Sequence, residues 1–208
     1  MVKESTTPPQ PGRARRARLD PEARRAQLVE TARQLLEEQG LDTMSIEAVA
    51  DAAGVSRSLV YAYFGDRDGL VAEVYLRVLR ELDRSLAPHR HPLTPRSEAT
   101  LATSLERCMD FARAQPAAWR LLVTDSVRRH PAVVQARVKR VTELSGAGRE
   151  GSGRRLVADA VLGLMEAGVL HWVDHSDLPA PVAARLLAAV LWSGLAGVKA
   201  AKPHHKPA

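Results

Sequence analysis

The chain has 208 residues, of which 45% are apolar and only 4% aromatic. This length can bury a sizeable core, and the composition excludes a disordered chain and favours helices over strands. The single cysteine, Cys108, excludes an intramolecular disulfide and suits a reducing compartment. No apolar segment typical of a signal peptide is visible near residue 1, and the apolar stretch of residues 186–198 is shorter than a membrane span. We therefore expect a cytoplasmic protein.

The net charge of +6 is unevenly distributed. Residues 1–25 carry seven basic residues against three acids, whereas residues 26–70 carry three arginines against eight acids. Residues 1–19, rich in proline and arginine, are predicted to form a flexible basic arm. Such an arm could follow the minor groove of DNA, and a merely solubilising tail is the alternative.

Helical patterns begin at Asp20, which with Pro21 and Glu22 forms a strong start signal. Three further helices are predicted before residue 88, because each has a capping side chain at its start and a helix breaker at its end. The predicted caps are Ser45, Ser56 and Asp66, and the predicted ends of the four helices are Gly40, Gly54, Gly65 and Pro88.

Residues 88–97 contain three prolines and predict a linker between a domain at residues 20–85 and a second at residues 97–200. Apolar residues at helical spacing predict five more helices in the second domain, so the four before and the five after make about nine. No alternation of period two indicates a strand. We expect an all-α fold, with a disordered tail at residues 201–208.

The second and third predicted helices, joined at Gly54, form a helix-turn-helix, in which the second helix of the pair enters the major groove. Arg57, Ser58 and Tyr61 fall within an arc of about 100° on that helix, next to an apolar edge of Val60 and Phe64. An arginine there can bind guanine with two hydrogen bonds, and serine or tyrosine can bind bases or phosphates. The starts of the two helices, at Ser45 and Ser56, expose backbone N–H groups that can hold a phosphate, and Arg67 lies within reach of the DNA backbone.

Residues 21–75 resemble the TetR family of bacterial regulators. The markers are TMSI at residues 43–46, VADAAGVS at 49–56, VYAYF at 60–64 and the acid–base pair before Leu70. The resemblance implies base contacts from Arg57, Ser58, Leu59 and Tyr61, and phosphate contacts from Tyr63, Arg67 and Ser45. Two residues depart from the family pattern: Arg67 stands where lysine is common, and Gly69 is a poor residue inside a helix.

Three other patterns are candidate sites, and each has a plainer interpretation. Residues 146–151 match GxGxxG literally, but no strand precedes them, so a loop is favoured. His171 and His175, four residues apart near Asp174 and Asp177, could ligate a metal, although histidines also suit a helix C-terminus. Cys108 lies on an apolar helical face and is expected in the core rather than as a nucleophile. We expect neither a metal, a cofactor nor a catalytic residue.

By resemblance, the second domain is a helical bundle with an effector cavity, and its last two helices pair the subunits of a homodimer. The final helix supports this, because its apolar residues spread around much of its surface, although an ordinary core helix is the alternative. Bulky internal residues are the cavity candidates, and no charge is concentrated among them, which favours an apolar effector. These candidates are Met109, Trp119, Leu122, Met165 and Trp172.

The sequence therefore predicts a DNA-binding transcription regulator: a repressor, or less often an activator, whose operator is released when a small, mainly apolar effector binds. The effector would favour a subunit spacing that no longer matches the groove separation of about 34–36 Å. A helical enzyme or cofactor-binding protein with an incidental helix-turn-helix is the first alternative. An architectural DNA-binding protein without a ligand is the second.

Overall fold

The computed structural model describes residues 20–87, 97–145 and 152–200, and within these ranges it contains ten α-helices and no strand. The predicted all-α class is confirmed. The predicted arm, most of the linker, the glycine-rich loop and the tail lie outside the described residues. The helices are α1 Pro21–Gln39, α2 Ile46–Ala53, α3 Arg57–Phe64, α4 Arg67–Leu86, α5 Glu98–Ala114, α6 Pro116–Val123, α7 Asp125–Arg128, α8 Pro131–Ser145, α9 Ser152–His175 and α10 Ala180–Ala200.

Side-chain caps fix the starts of the first four helices as the sequence predicts. Asp20 accepts hydrogen bonds from the backbone N–H groups of Glu22 and Ala23. Each such bond satisfies a donor that the helix itself cannot pair, which stabilises a short helix. The remaining caps are Ser45 to the Ala48 N–H at 3.1 Å, Ser56 to the Leu59 N–H at 3.3 Å and Asp66 to the Gly69 N–H at 2.7 Å.

Gly69, which is unfavourable by helix propensity, is required by the corner between α3 and α4. A Cβ atom at this position would lie 2.1 Å from the Phe64 carbonyl oxygen, the last one of α3. The missing side chain lets the start of α4 pass directly over the end of α3, so α4 begins at Arg67 in spite of the glycine.

Helix α4 connects the helix-turn-helix to the rest of the chain. It packs on α1 and α3 on one side and on α5, α6 and α8 on the other. One continuous apolar cluster extends from Leu28 in α1 to Leu191 in α10, so the two predicted domains share a packed core along α4. The division near residue 85 stays a prediction.

One predicted helix, over residues 119–127, is divided in the structure, which accounts for the tenth helix. Thr124 adopts an extended backbone between α6 and α7, and its hydroxyl donates to the Arg120 carbonyl at 2.7 Å. The Arg128 side chain donates to the Leu122 carbonyl at 2.9 Å. These bonds satisfy carbonyls that the interrupted helix leaves unpaired.

Helix α9 contains a segment that is long and apolar enough to span a membrane, which corrects the expectation that no segment is. This segment is Arg155–His175, which has a mean hydropathy of 1.5 and could cross a membrane judged by length and composition alone. Only 22% of its 18-residue apolar stretch is buried within the chain. Most of this segment is therefore at least partly exposed in the single chain.

Candidate nucleic-acid interface and effector cavity

The turn between α2 and α3 depends on a left-handed glycine. Gly54 has φ 63° and ψ 41°, and its N–H donates to the Ala50 and Asp51 carbonyls. The N–H of Val55 also returns to the Ala50 carbonyl, at 3.0 Å. Only glycine adopts this conformation at little cost, so the angle between the two helices is fixed locally.

Helix α3 has a buried side and an exposed side. Val60 and Phe64 are buried in the core cluster and hold the helix on the domain. Arg57 and Ser58 are exposed at its N-terminal end, and Tyr61 is 47% exposed one turn further. Three of the predicted base-contacting side chains therefore share the solvent face. Leu59 and Tyr63 are half-buried at the edges of that face.

The Arg57 guanidinium is held only weakly in the free protein. Its nearest carboxylate, Glu47 on α2, is 3.6 Å away, and both side chains are largely exposed. Exposed ion pairs of this kind contribute little to stability. The guanidinium can therefore exchange Glu47 for a base edge at little cost.

Arg67 is engaged inside the protein instead of being free at the surface. Its Nε donates to the Met44 carbonyl and its Nη2 to the Leu41 carbonyl, both at 2.7 Å. The half-buried side chain thus ties the start of α4 to the turn that precedes α2. Its contact with a DNA phosphate stays a prediction. The guanidinium also has a framing role, meaning that it holds the elements around the helix-turn-helix together, which the sequence did not indicate.

Arg25 is a second framing residue, and sequence reasoning missed it. From α1 it donates to the Tyr63 carbonyl at 2.9 Å and pairs with Glu73 of α4 at 2.6 Å. Its guanidinium also lies 5.0 Å from the centre of the Phe64 ring. It therefore joins α1 to the end of α3 and to α4. No local pattern could reveal it, because its partners lie 38 and 48 residues away.

Three of the five predicted cavity residues line one internal space. Trp119 and Leu122 of α6 and Met165 of α9 surround it, together with Tyr75, Leu79 and Leu82 of α4. The space open to a water-sized molecule is about 10 Å³. The other two predicted residues have different surroundings: Met109 is fully buried in the core, and the Trp172 Nε1 donates to the Leu178 carbonyl at 2.8 Å.

Charged residues also line this space, which the sequence analysis did not anticipate. Glu166 of α9 pairs with Arg137 of α8 at 2.8 Å and with Arg128 of α7 at 2.5 Å. Arg140 of α8 pairs with Asp83 of α4. Burial alone would lower the pKa of Arg137, but the hydrogen bond and charge of Glu166 more than offset this and raise it, so Arg137 stays charged.

Cys108 and the pair His171 and His175 are the remaining candidate site residues. Burial raises the pKa of the Cys108 thiol to about 12, so the reactive thiolate is suppressed. His171 and His175 stack on each other on the exposed side of α9, with ring centres 5.0 Å apart. Among the described residues no group of three or more His, Cys, Asp or Glu side chains is placed to hold a metal.

Two short helices joined by a left-handed glycine, with a polar second helix facing solvent, define a helix-turn-helix protein. Residues 28–74 match the family model described as "Bacterial regulatory proteins, tetR family". Over this segment, which contains the helix-turn-helix, the chain is similar to TetR-family regulators.

Two relatives and one solved structure show a similarity to the same class of regulators. The chain is 41% identical over 69 residues to the transcriptional regulator BetI of Burkholderia thailandensis, a match that covers 33% of this chain and 35% of BetI. It thus spans only about a third of that relative. It is 26% identical over 180 residues to the transcriptional activator FasR of Mycolicibacterium smegmatis, which covers 80% of each. A TetR-family regulator from Streptomyces coelicolor superposes with a TM-score of 0.62 at 26% identity, over 88% of this chain and 84% of that one.

Proposed function

We propose that the protein is a sequence-specific DNA-binding transcription regulator that acts as a homodimer in the cytoplasm. The observation that carries the proposal is the two-sided α3, anchored by Val60 and Phe64 while Arg57, Ser58 and Tyr61 face solvent. In this proposal those three residues and Leu59 contact bases, and Tyr63 and the helix starts at Ser45 and Ser56 contact phosphates.

The dimer would form through α9 and α10, whose outer faces lack a partner within the described chain. Four exposed residues of α9 follow helical spacing and are small or apolar: Ala160, Gly163, Leu164 and Ala167. On α10, Leu186 and Val190 are 57% and 60% exposed. Small residues allow close helix approach, and pairing these faces would bury the apolar surface that gives α9 its high hydropathy.

A small effector would act through the internal space between α4, α6, α8 and α9. Helix α4 lines that space with Tyr75, Leu79 and Leu82, and its first residue, Arg67, holds the turn before α2. A shift of α4 at the effector end would therefore be carried to the helix-turn-helix.

Helix α6 offers a second connection between the same two regions. The Glu37 carboxylate of α1 accepts a hydrogen bond from the Ala118 N–H in the first turn of α6 at 3.0 Å. Arg33 of α1 donates to the Gln115 side chain at 3.3 Å. Because Trp119 and Leu122 lie on the same short helix, a ligand that moves α6 also moves α1.

We favour a repressor that leaves its operator when the effector binds, because the effector can then select a subunit spacing that no longer fits the major groove. An activator is the second candidate. It is favoured by one observation: FasR, the relative matched over 80% of its length, is named an activator.

A mobility shift with the DNA upstream of the protein's own gene, at stated salt, tests the proposal. We expect a discrete complex that an unrelated duplex does not compete away. No complex with that DNA, or with any sequence selected from a random pool, would contradict it. Transcription from the bound promoter with and without the protein then separates repressor from activator.

A further inference from the structure

A surface groove lies between α8 and α9. It has a volume of about 480 Å³, within the range of sites for small organic ligands. Its apolar wall consists of Val134, Val138, Val141 and Leu156, and three of these are more than 40% exposed. A groove of this size and composition suits the apolar body of a ligand.

The charges along the groove are strongly unequal. Arg128, Arg137 and Arg155 line it together with a single acid, Asp159. Arg155 forms no ion pair with a described residue, whereas Arg128 and Arg137 share the carboxylate of Glu166 behind the groove. The lining therefore favours an anion.

Arg137 connects the groove with the internal space, because it lines both. Two donors on the wall of the internal space are shared or unsatisfied: Arg137 shares Glu166 with Arg128, and the buried Nε1 of Trp119 finds no partner among the described residues. Arg140 is already paired with Asp83. The acceptors on its wall are the Glu166 carboxylate and the Tyr75 hydroxyl. A carboxylate delivered at Arg137 would thus enter surroundings rich in unsatisfied or shared donors.

We propose that the effector is an organic acid with an apolar body, whose carboxylate binds Arg137 in exchange for Glu166 while its body occupies the groove between α8 and α9. This inference rests on the proposed effector-responsive function and replaces a mainly apolar effector with an amphipathic anion. The exchange would release Glu166, which lies on α9 beside the wall that α4 contributes, and so connects ligand binding to α4.

The test is titration calorimetry of the full-length protein with octanoate and, as an uncharged match, 1-octanol. We expect saturable binding of octanoate and at least about tenfold weaker binding of the alcohol. R137Q should weaken octanoate binding about tenfold and leave the alcohol unchanged. R129Q, which alters an exposed arginine nearby with no side-chain contact among the described residues, is the matched control and should change neither. Equal binding of acid and alcohol would overturn the proposal.

E166Q supplies a test of the opposite sign, which is decisive if R137Q fails to fold. Removing the competing carboxylate should strengthen octanoate binding about tenfold, whereas a purely structural ion pair predicts no gain. Unchanged or weaker binding by folded E166Q overturns the exchange.

V138E distinguishes a ligand groove from a surface covered by a second copy of the chain. Under our proposal it abolishes octanoate binding and leaves the sedimentation mass unchanged. Loss of the dimer with octanoate binding retained would overturn the proposal. DNA binding by the same wild-type preparation is measured in parallel, because its loss would argue against the proposed regulator function and not against the groove alone.

Discussion

The helix-turn-helix and the helices around the internal space (α4, α6, α8 and α9) place their polar groups in opposite ways. On α3 the proposed reading residues face solvent, and the arginines that frame it, Arg25 and Arg67, bind backbone carbonyls. Around the internal space, the charges of Arg137 and Glu166 lie against a largely apolar interior. An outward-facing reading helix and an inward-facing ionic cluster are the arrangement that the proposed ligand-controlled regulator would use.

The largest effect tests the rigidity of the reader. G69A should lower the free energy of unfolding by about 3 kcal/mol, because the new Cβ overlaps the Phe64 carbonyl oxygen and the backbone must shift. Chemical denaturation measures it. G153A is the control: a Cβ there meets nothing within 4 Å, so the same substitution should be neutral or stabilising by about 0.5 kcal/mol. Equal stability of the two variants would contradict the close approach.

The next effect tests whether the exposed face of α3 reads DNA. R57A should weaken binding to the selected operator by about 1–3 kcal/mol, or roughly five- to 150-fold, since one bidentate base contact is lost. Its thermal stability should not change, because the Glu47 pair is exposed. Fluorescence anisotropy measures the affinity, with R80A on the exposed side of α4 as control. An unchanged affinity would remove Arg57 from the reading set.

Arg67 separates framing from phosphate contact. R67K keeps the charge but cannot reproduce both 2.7 Å bonds to the Leu41 and Met44 carbonyls, so the free energy of unfolding should fall by about 1–3 kcal/mol. R80K is the matched control. If R67K is as stable as R80K, the two carbonyl bonds contribute nothing and Arg67 has no framing role.

A smaller effect tests the junction between the two regions. E37A removes the acceptor for the Ala118 N–H at the start of α6 and should cost about 1 kcal/mol of unfolding free energy. E38A alters the exposed neighbouring carboxylate, which has no contact among the described residues, and should leave stability unchanged. Identical melting curves for the two variants would show that the α1–α6 bond contributes nothing.

The smallest effect concerns the buried thiol. Because burial raises the pKa of Cys108 from 9.0 to about 12, the folded protein should resist thiol reagents at mildly alkaline pH and react once unfolded. The sign follows from linkage: the stability contributed by the protonated thiol is complete below pH 9.0 and is lost as the pH rises toward 12. Rapid labelling of the native protein would contradict the burial.

The same contrast explains how much the sequence could predict. Caps such as Ser45 and Ser56, and the turn at Gly54, depend on neighbours within a few residues, so the local pattern sufficed for the helix-turn-helix. The roles of Arg25 and Arg67 depend on carbonyls 23 to 38 residues away, and no spacing rule indicates them.

The charged residues that line the internal space could not be predicted from the sequence for a related reason. Arg137 and Glu166 are 29 residues apart on separate helices, and each looks like an ordinary surface charge in its own segment. Only the packing of α8 on α9 brings them together. Choosing bulky apolar residues found Trp119, Leu122 and Met165 but could not show that arginines share their cavity.

A comparison of two duplexes shows whether α3 reads a DNA sequence. The full-length protein is titrated against its selected operator and against a scrambled duplex of the same composition, at several salt concentrations. We expect a preference for the operator of at least about a thousandfold at physiological salt, which R57A reduces sharply while leaving binding to the scrambled duplex nearly unchanged. Equal affinity for both duplexes, with the same salt dependence, would contradict it.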